Sequence, residues 1–225
     1  RELRAADVDI RLASGPDGNG NWVFERGGAG EPAAATARER PQFDIHRVLL
    51  ERVRVRFGAD RVVEVAKLAG EAPVAGATQL TANGTLDGRH AYTAALTAGP
   101  LARLGTDQPW TFDALVELAG GSLAASGAVA GAGDASRVSV RFGAGTPDVR
   151  AAAQALGLDS PALGAAALAG TLEAQRGRLS VAALNAVVGR SLLTGDLAYD
   201  TGGARPRLSG ALAASVLDLL PLLER

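Results

Sequence analysis

The sequence predicts a mainly β protein, an antiparallel meander curled into a groove or packed as a sandwich, with one or two short helices. Many segments alternate apolar and polar residues with a period of two, which places the apolar side chains on one face of a strand. Short turns rich in Gly, Asp and Pro separate these segments. A strand signature, apolar-x-small-x-Gly-x-apolar, recurs in whole or in part at residues 80–86, 123–129, 166–172, 193–197 and 208–212.

The first forty residues predict two strands and a loop. A strand is predicted over residues 4–12, because residues 7–12 alternate three charged with three aliphatic side chains, as in a strand with one face in water. A dense turn signal follows at residues 15–20, and residues 21–24 return as a strand. Residues 27–41 consist mostly of Gly, Ala, Glu, Arg and Pro, which bury too little apolar surface to order themselves. We predict a mobile loop there.

The rest of the chain continues as strands. Residues 43–57 predict two strands with a turn near residues 49–51, and residues 61–68 pair with the second of them as a hairpin. Further strands are predicted at residues 78–86, 91–97, 110–118, 122–129, 137–142, 164–174, 178–184, 191–200 and 207–214.

Two short segments have helix signals. Thr146, Pro147 and Asp148 supply an N-terminal cap, a proline at the first turn and an early acid for a helix over residues 149–156. A second helix would begin at Ser215, but Pro221 interrupts it. Helices this short cannot cover a sheet of ten or more strands, so what lies against its apolar side becomes the question of function.

Composition excludes several classes of function. The 23 basic and 24 acidic residues give a net charge of −1, which argues against a nucleic-acid partner. The chain has no cysteine, which excludes disulfides, thiol catalysis and cysteine-bound zinc. The sequence starts inside a predicted strand, so we expect any membrane anchor or export signal to lie outside it.

Few residues suggest catalysis. The chain has two histidines, His46 and His90, and neither has carboxylates at a recognisable ligand spacing. No nucleophile-elbow motif is present. The sequence therefore predicts no enzyme, no catalytic residue and no cofactor. A hydrolase whose site is assembled from distant residues around the two histidines stays open as an alternative.

One segment partly matches a calcium loop. Residues 17–21 place Asp17, Asn19 and Asn21 at alternate positions, as the first half of such a loop does. However, Trp22 stands where the loop needs glycine and Gly28 where it needs a bidentate glutamate. The segment is more typical of a tight turn, and we predict no metal site.

The apolar sides of the strands remain as the candidate site. Two packed sheets stand about 10 Å apart because side chains fill the gap, and residues such as Ala82 and Gly84 cannot fill it. Either the sheets approach closely there, or a long apolar ligand supplies the missing volume. The residues proposed to line such a groove are Val53, Val55, Phe57, Leu80, Leu86, Val138, Val140, Phe142 and Leu172.

Several segments in succession resemble one family. Residues 8–18 leading into 21–24 look like the charged strand, Asp-Gly turn and Asn-Trp sequence near the start of the periplasmic region of AsmA-family proteins. Residues 53–57 resemble that family's next strand pair. Residues 189–197 and 204–212 resemble two strands near the end of the same region.

The resemblance implies a non-enzymatic protein of the bacterial envelope. Residues 1–225 would form one AsmA-like periplasmic β domain, anchored to the inner membrane by a helix that precedes this sequence. Its apolar groove would bind phospholipid or another acyl-chain lipid, or conduct it between the inner and outer membranes, and so support outer-membrane assembly. Other envelope proteins are further expected partners. The alternative is a structural or protein-binding β sandwich of the envelope without lipid contact.

Overall fold

A computed structural model describes residues 2–13, 21, 46–58, 61–73, 75–131, 136–202 and 205–216. Most of these residues belong to a single sheet of thirteen strands, which is open at its edges. The strands are β1 (Glu2–Ala6), β2 (Asp9–Leu12), β3 (Arg47–Phe57), β4 (Arg61–Glu71), β5 (Thr78–Leu86), β6 (His90–Ala98), β7 (Trp110–Leu118), β8 (Gly121–Ala130), β9 (Arg137–Thr146), β10 (Ala166–Gln175), β11 (Arg178–Val188), β12 (Ser191–Asp200) and β13 (Arg207–Val216).

Some predicted elements lie outside the described residues. They are the loop at 27–41, the strand at 21–24 beyond Asn21, the calcium-like segment before Asn21 and the helix after Ser215. Ser215 itself belongs to β13.

The predicted antiparallel meander is confirmed from β3 to β13, because each of these strands pairs with the next one along the chain. The N-terminal strands depart from this antiparallel pattern, since β1 and β2 both run parallel to β3. They lie end to end along it where one strand over residues 4–12 was predicted. The described residues form one sheet and no second layer, so the architecture is an open sheet and not a sandwich.

A row of irregular residues crosses β1 to β4. Asp7, between β1 and β2, has a φ of 56°, and Arg52 in β3 has a φ of 53°. In β4, Ala66 is the extra residue where the register with β5 shifts. Each irregularity reverses the alternation of faces, as a β-bulge does. This reversal explains why the predicted turn near residues 49–51 is wrong: β3 is one continuous strand, and the broken alternation marks a bulge.

The cross-strand register gives the sheet two unlike faces. In β6 and β7, every second residue is shielded and the residues between are exposed. The shielded set is apolar and continues across the sheet, and we call it the apolar face. Its larger members include Leu3, Ile10, Leu50, Val53, Val55, Phe57, Val65, Leu68, Leu80, Leu86, Tyr92, Leu96, Phe112, Val116, Leu123, Val138, Val140, Phe142, Leu168, Leu172, Leu179, Val181, Leu197 and Leu212. The opposite, polar face carries mainly Thr, Ser, Ala and charged residues.

The described residues contain almost no conventional core. Val53, Ala72, Ala98 and Ala155 are the hydrophobic residues that are buried among them. A domain usually buries one face of a sheet under a second layer of helices or strands. Here the described part of the chain supplies no such layer, and the apolar face stays half-exposed.

Short helical connections lie at both ends of the strands. The predicted helix is confirmed as α1 (Val149–Ala155), but its predicted cap, Thr146, is wrong. Thr146 ends β9, and Asp148 caps the helix by accepting hydrogen bonds from the backbone N–H groups of Arg150 and Ala151. At the opposite end of the strands, a 3₁₀ turn spans Leu101–Arg103. Beside that turn, the indole Nε1 of Trp110 donates to the carbonyl oxygen of Gly99 over 3.0 Å.

Candidate functional site

The structure places all nine predicted lining residues on the apolar face, in two groups. Val53, Val55, Phe57, Leu80 and Leu86 lie on β3 and β5. The others, Val138, Val140, Phe142 and Leu172, lie on β9 and β10. Strands β6 to β8 separate the two groups, so the nine residues share a surface without forming one pocket.

The residues between and beyond these groups escaped the prediction. Tyr92, Leu96 and Phe112 connect the two groups across the middle of the face. Leu197 and Leu212 extend it to the far edge on β12 and β13. For Phe112, which stands between Thr111 and Asp113, alternation with polar neighbours was a signal that could have identified it. Leu212 stands between two alanines, so alternation gave no such signal there.

Exposure varies across the face. The side of β3 next to the bulge is well shielded, and Val53 is only 6% exposed. Leu123 is 45% exposed near the middle of the sheet, and Leu212 is 49% exposed at its edge. The apolar side chains therefore shield one another sideways, while the described chain leaves much of their outer surface uncovered.

The signature glycines lie on the apolar face where strands approach each other closely. A methyl group at Gly127 would overlap the carbonyl oxygen of Ser139, and one at Gly195 would overlap the carbonyl oxygen of Ala211. Gly84 is similarly restricted by the backbone of Glu64. Glycines at such positions allow a sheet to bend sharply. These small residues thus serve the shape of the sheet, whereas the sequence interpretation treated them as unfilled volume.

Ion pairs lie on the polar face of the first strands. Arg52 makes a two-pronged contact with Asp7, at 2.6 and 2.8 Å. Arg54 pairs with Glu64 at 2.7 Å, and Arg56 pairs with Asp9 at 3.0 Å.

These arginines change the acidity of their partners. Hydrogen bonds from Arg52, Arg56 and Arg54 hold the pKa values of Asp7, Asp9 and Glu64, in that order, below their ordinary values. The three carboxylates are therefore ionised and solvated at neutral pH. This arrangement suits a water-facing surface and not acid–base catalysis.

One charged side chain, Arg61, is placed on the apolar face by the register of the described strands. It lies at the end of the sheet where α1 sits. Its Nε is 3.3 Å from Oδ2 of Asp87, and its Nη2 donates to the carbonyl oxygen of Ala155 over 3.1 Å. The other polar side chains that the register places on this face include His90 and Tyr92, and burial raises the pKa of the Tyr92 phenol.

Catalytic and metal chemistry find little support in the described residues. His46 precedes β3 at one end of the sheet, whereas His90 begins β6 at the other end. Nine residues of strand separate the two ends by on the order of 30 Å, so the histidines do not share a site. In the described part of the chain, no group of three or more His, Asp or Glu side chains is arranged to hold a metal ion.

Comparison with family models, curated proteins and solved structures finds no significant match for this chain. Among the described residues, no helix is long and apolar enough to cross a membrane.

Proposed function

We propose that this protein binds phospholipid, or another lipid with acyl chains, on the apolar face of its sheet and is not an enzyme. The observation that carries the proposal is the continuous apolar surface that the described chain leaves uncovered. The apolar face is stabilised when apolar groups cover it, and hydrocarbon chains can do so without a polar specificity pocket.

The size of the face supports an extended ligand. Twelve successive strands at about 4.8 Å spacing, each about 30 Å long, give a face of roughly 1,700 Å². The largest exposed apolar patch on a soluble monomer is normally about 300–600 Å² and often functional. This area is that of the whole sheet, and its apolar residues are partly shielded, but roughly half of it would still exceed that range.

The energetics also suit a lipid. Each methylene group removed from water contributes about 0.8 kcal/mol. A chain lying along the face would gain this contribution for each methylene that it buries, while its headgroup stayed in solvent. Such binding selects for hydrocarbon length more than for headgroup identity.

The resemblance of several segments to AsmA-family proteins supports a location in the bacterial envelope for this binding. In an AsmA-type protein the sheet would lie in the periplasm, attached to the inner membrane through a helix that precedes these residues. The apolar face would then carry lipid towards the outer membrane and contribute to its assembly. These assignments rest on the sequence resemblance.

A matched pair of charge substitutions tests lipid binding. Val140 and Ser139 are neighbours in β9, and their side chains lie on the apolar and polar faces. We expect gently purified wild-type protein to carry phospholipid, detected by native mass spectrometry and by lipid extraction. Val140→Asp should lose most of that lipid, because a carboxylate would sit among the acyl chains.

The control variant, Ser139→Asp, should keep its lipid. Circular dichroism checks that both variants remain folded. Wild-type protein that is free of lipid after gentle purification from its native host would overturn the proposal, as would a folded Val140→Asp that retains lipid as well as Ser139→Asp does.

An exposed edge favours protein binding as a second candidate function. All ten residues of β13 are exposed, and among the described strands β12 alone pairs with it. An unpaired edge can accept a strand from another protein. In this alternative the protein is a structural or protein-binding component of the envelope, and the same mass spectrometry would find a bound protein and no lipid.

A further inference from the structure

A cleft lies beneath α1 at one end of the apolar face. It has a volume of about 380 Å³, within the range of roughly 300–1,000 Å³ that is usual for small-molecule sites. Its floor is formed by strands β7 to β10, with Leu118, Leu123 and Leu168 among the floor residues. Its cover is formed by Ala152 and Leu156 of the helical segment.

The lining has a clear chemical preference. None of the thirteen residues around the cleft is charged, and the polar side chains are the hydroxyls of Ser122 and Thr146. A charged or strongly polar group placed there would lose its hydration without finding a partner. An aliphatic chain would lose nothing and would gain contacts on several sides.

The cleft is continuous with the apolar face. Leu123 and Leu168 belong to both, and they lie in register with the same residue, Ala144 of β9. A chain that lies along the strands therefore enters the cleft without crossing polar surface. The cleft is where such a chain would stop.

A side chain from a distant strand, β4, contacts the helical segment on the same face of the sheet. Strands β4 and β9 are five positions apart, about 24 Å at a spacing of about 4.8 Å. Arg61 of β4 nevertheless reaches the carbonyl oxygen of Ala155, which is fully buried. The contact between the Arg61 guanidinium and the Ala155 carbonyl therefore joins the segment after β9 to β4 across this end of the face.

We propose that the cleft beneath α1 is the site for the methyl end of an acyl chain. The inference rests on the proposed lipid binding and adds a direction to it. The chain lies with its terminal carbons under α1, and the lipid headgroup points away from this end of the sheet.

Photocrosslinking tests this direction. The probes are two phosphatidylcholines, one with a diazirine at the terminal carbons of an acyl chain and one with a diazirine close to the glycerol. After irradiation and digestion, mass spectrometry locates the labelled peptides. We expect the terminal probe to label residues 116–123 and 152–168, and the glycerol-proximal probe to label other parts of the sheet.

A pair of tryptophan substitutions tests the cleft itself. Ala152→Trp would fill it, whereas Gln154→Trp places the same side chain on an exposed position of α1. Each methylene returned to water lowers the affinity about fourfold. Ala152→Trp should therefore shift terminal-probe labelling out of the cleft and weaken binding at least fourfold, while Gln154→Trp should match the wild type.

The outcomes separate this inference from the proposed function. If the protein retains lipid but the terminal probe labels the face evenly, or labels the end opposite α1, the cleft assignment is wrong and the lipid-binding proposal stands. If neither probe is bound or crosslinked, lipid binding itself fails. Wild-type labelling needs no variant, so the test does not depend on Ala152→Trp folding.

Discussion

Gly127 lies at a position where two strands come too close for a side chain. The backbone of Ser139, in the neighbouring strand, occupies the space that a methyl group would need. The recurring glycine in the sequence was a correct indication of strands. Its reason could not be predicted, because the distance between two backbones depends on how the whole sheet bends.

A glycine pair in adjacent strands tests this explanation. We expect Gly127→Ala to destabilise the protein by about 1–3 kcal/mol, the usual cost of forcing atoms into occupied space. Gly143→Ala is the control, since nothing lies within 4 Å of its added methyl group. It should be neutral or stabilise by up to about 1 kcal/mol, because it restricts the unfolded chain. Urea unfolding midpoints measure both, and equal effects would contradict the explanation.

The paired carboxylates at Asp7, Asp9 and Glu64 predict acid sensitivity. Their pKa values are lowered in the folded state by arginine partners. A lowered folded-state pKa contributes stability above the ordinary pKa, and that contribution is lost as the pH falls below about 4. The loss should be small, because these pairs are exposed and solvent screens them.

Thermal unfolding between neutral and acidic pH measures this loss. The variant Asp9→Asn should show a flatter dependence of Tm on pH than the wild type, since one of the linked groups is gone. An unchanged slope would mean that the Asp9–Arg56 contact contributes nothing to folding.

Alternation could predict individual strands but not their irregularities. The register of β5 to β9 agrees closely with the pattern of apolar residues, since these strands have no bulge. In β3, the residue Arg52 reverses the pattern, and the sequence offers no local sign that separates such a bulge from a turn. The tie between Arg52 and Asp7 links residues 45 positions apart in the chain, which local patterns do not reveal.

Arg61 connects the α1 segment to β4, a strand five positions away in the sheet. Its guanidinium contacts Asp87 and the carbonyl oxygen of Ala155. Helix α1 itself was predictable from the start signal at Thr146, Pro147 and Asp148, although the cap is Asp148 and not the predicted Thr146. Its position over the apolar face was not predictable, since that depends on a contact between residues 94 positions apart.

Removing this contact should free the α1 segment locally. A hydrogen bond from a charged donor contributes about 1.5–3 kcal/mol, so Arg61→Ala should raise hydrogen exchange of the amides in residues 151–158 by about tenfold or more. Exchange in β6 to β8 should stay unchanged. Arg89→Ala, an exposed arginine of the neighbouring turn, is the control. Unaltered protection of α1 in Arg61→Ala would show that the contact does not hold the helix.

At the scale of the whole molecule, the uncovered apolar face predicts that amphiphiles stabilise the fold. A ligand that binds only the folded state adds about 2.7 kcal/mol at a concentration one hundred times its Kd. For a chain of this size that corresponds to a rise in Tm of about 5–10 °C. Delipidated protein, mixed with a short-chain phosphatidylcholine below its micelle concentration, should show this rise by differential scanning fluorimetry.

Glycerophosphocholine, which is the same headgroup without acyl chains, is the matched control and should leave Tm unchanged. A rise with both compounds would point to headgroup recognition and contradict binding through the apolar face.

The overall class was predictable because the contacts of a meander are local. Each hairpin from β3 onward joins neighbours in the sequence, so alternation and turns were sufficient to identify them. Whether the strands make one sheet or two was not predictable. Alternation shows which side chains share a face, and it contains no information about what covers that face.

Because each strand from β4 to β13 pairs only with the strands before and after it in the chain, the pairing pattern sets no limit on the width of the sheet. Under the proposed lipid binding, inserting or removing one hairpin would change how many hydrocarbon tails fit side by side, yet it would leave the strand pairing of the other hairpins intact. In this architecture, the number of lipid chains that the proposed site would hold and the stability of the sheet can therefore change separately. Duplication of a hairpin during evolution would then increase the amount of lipid that the proposed site holds, without requiring a newly packed hydrophobic core.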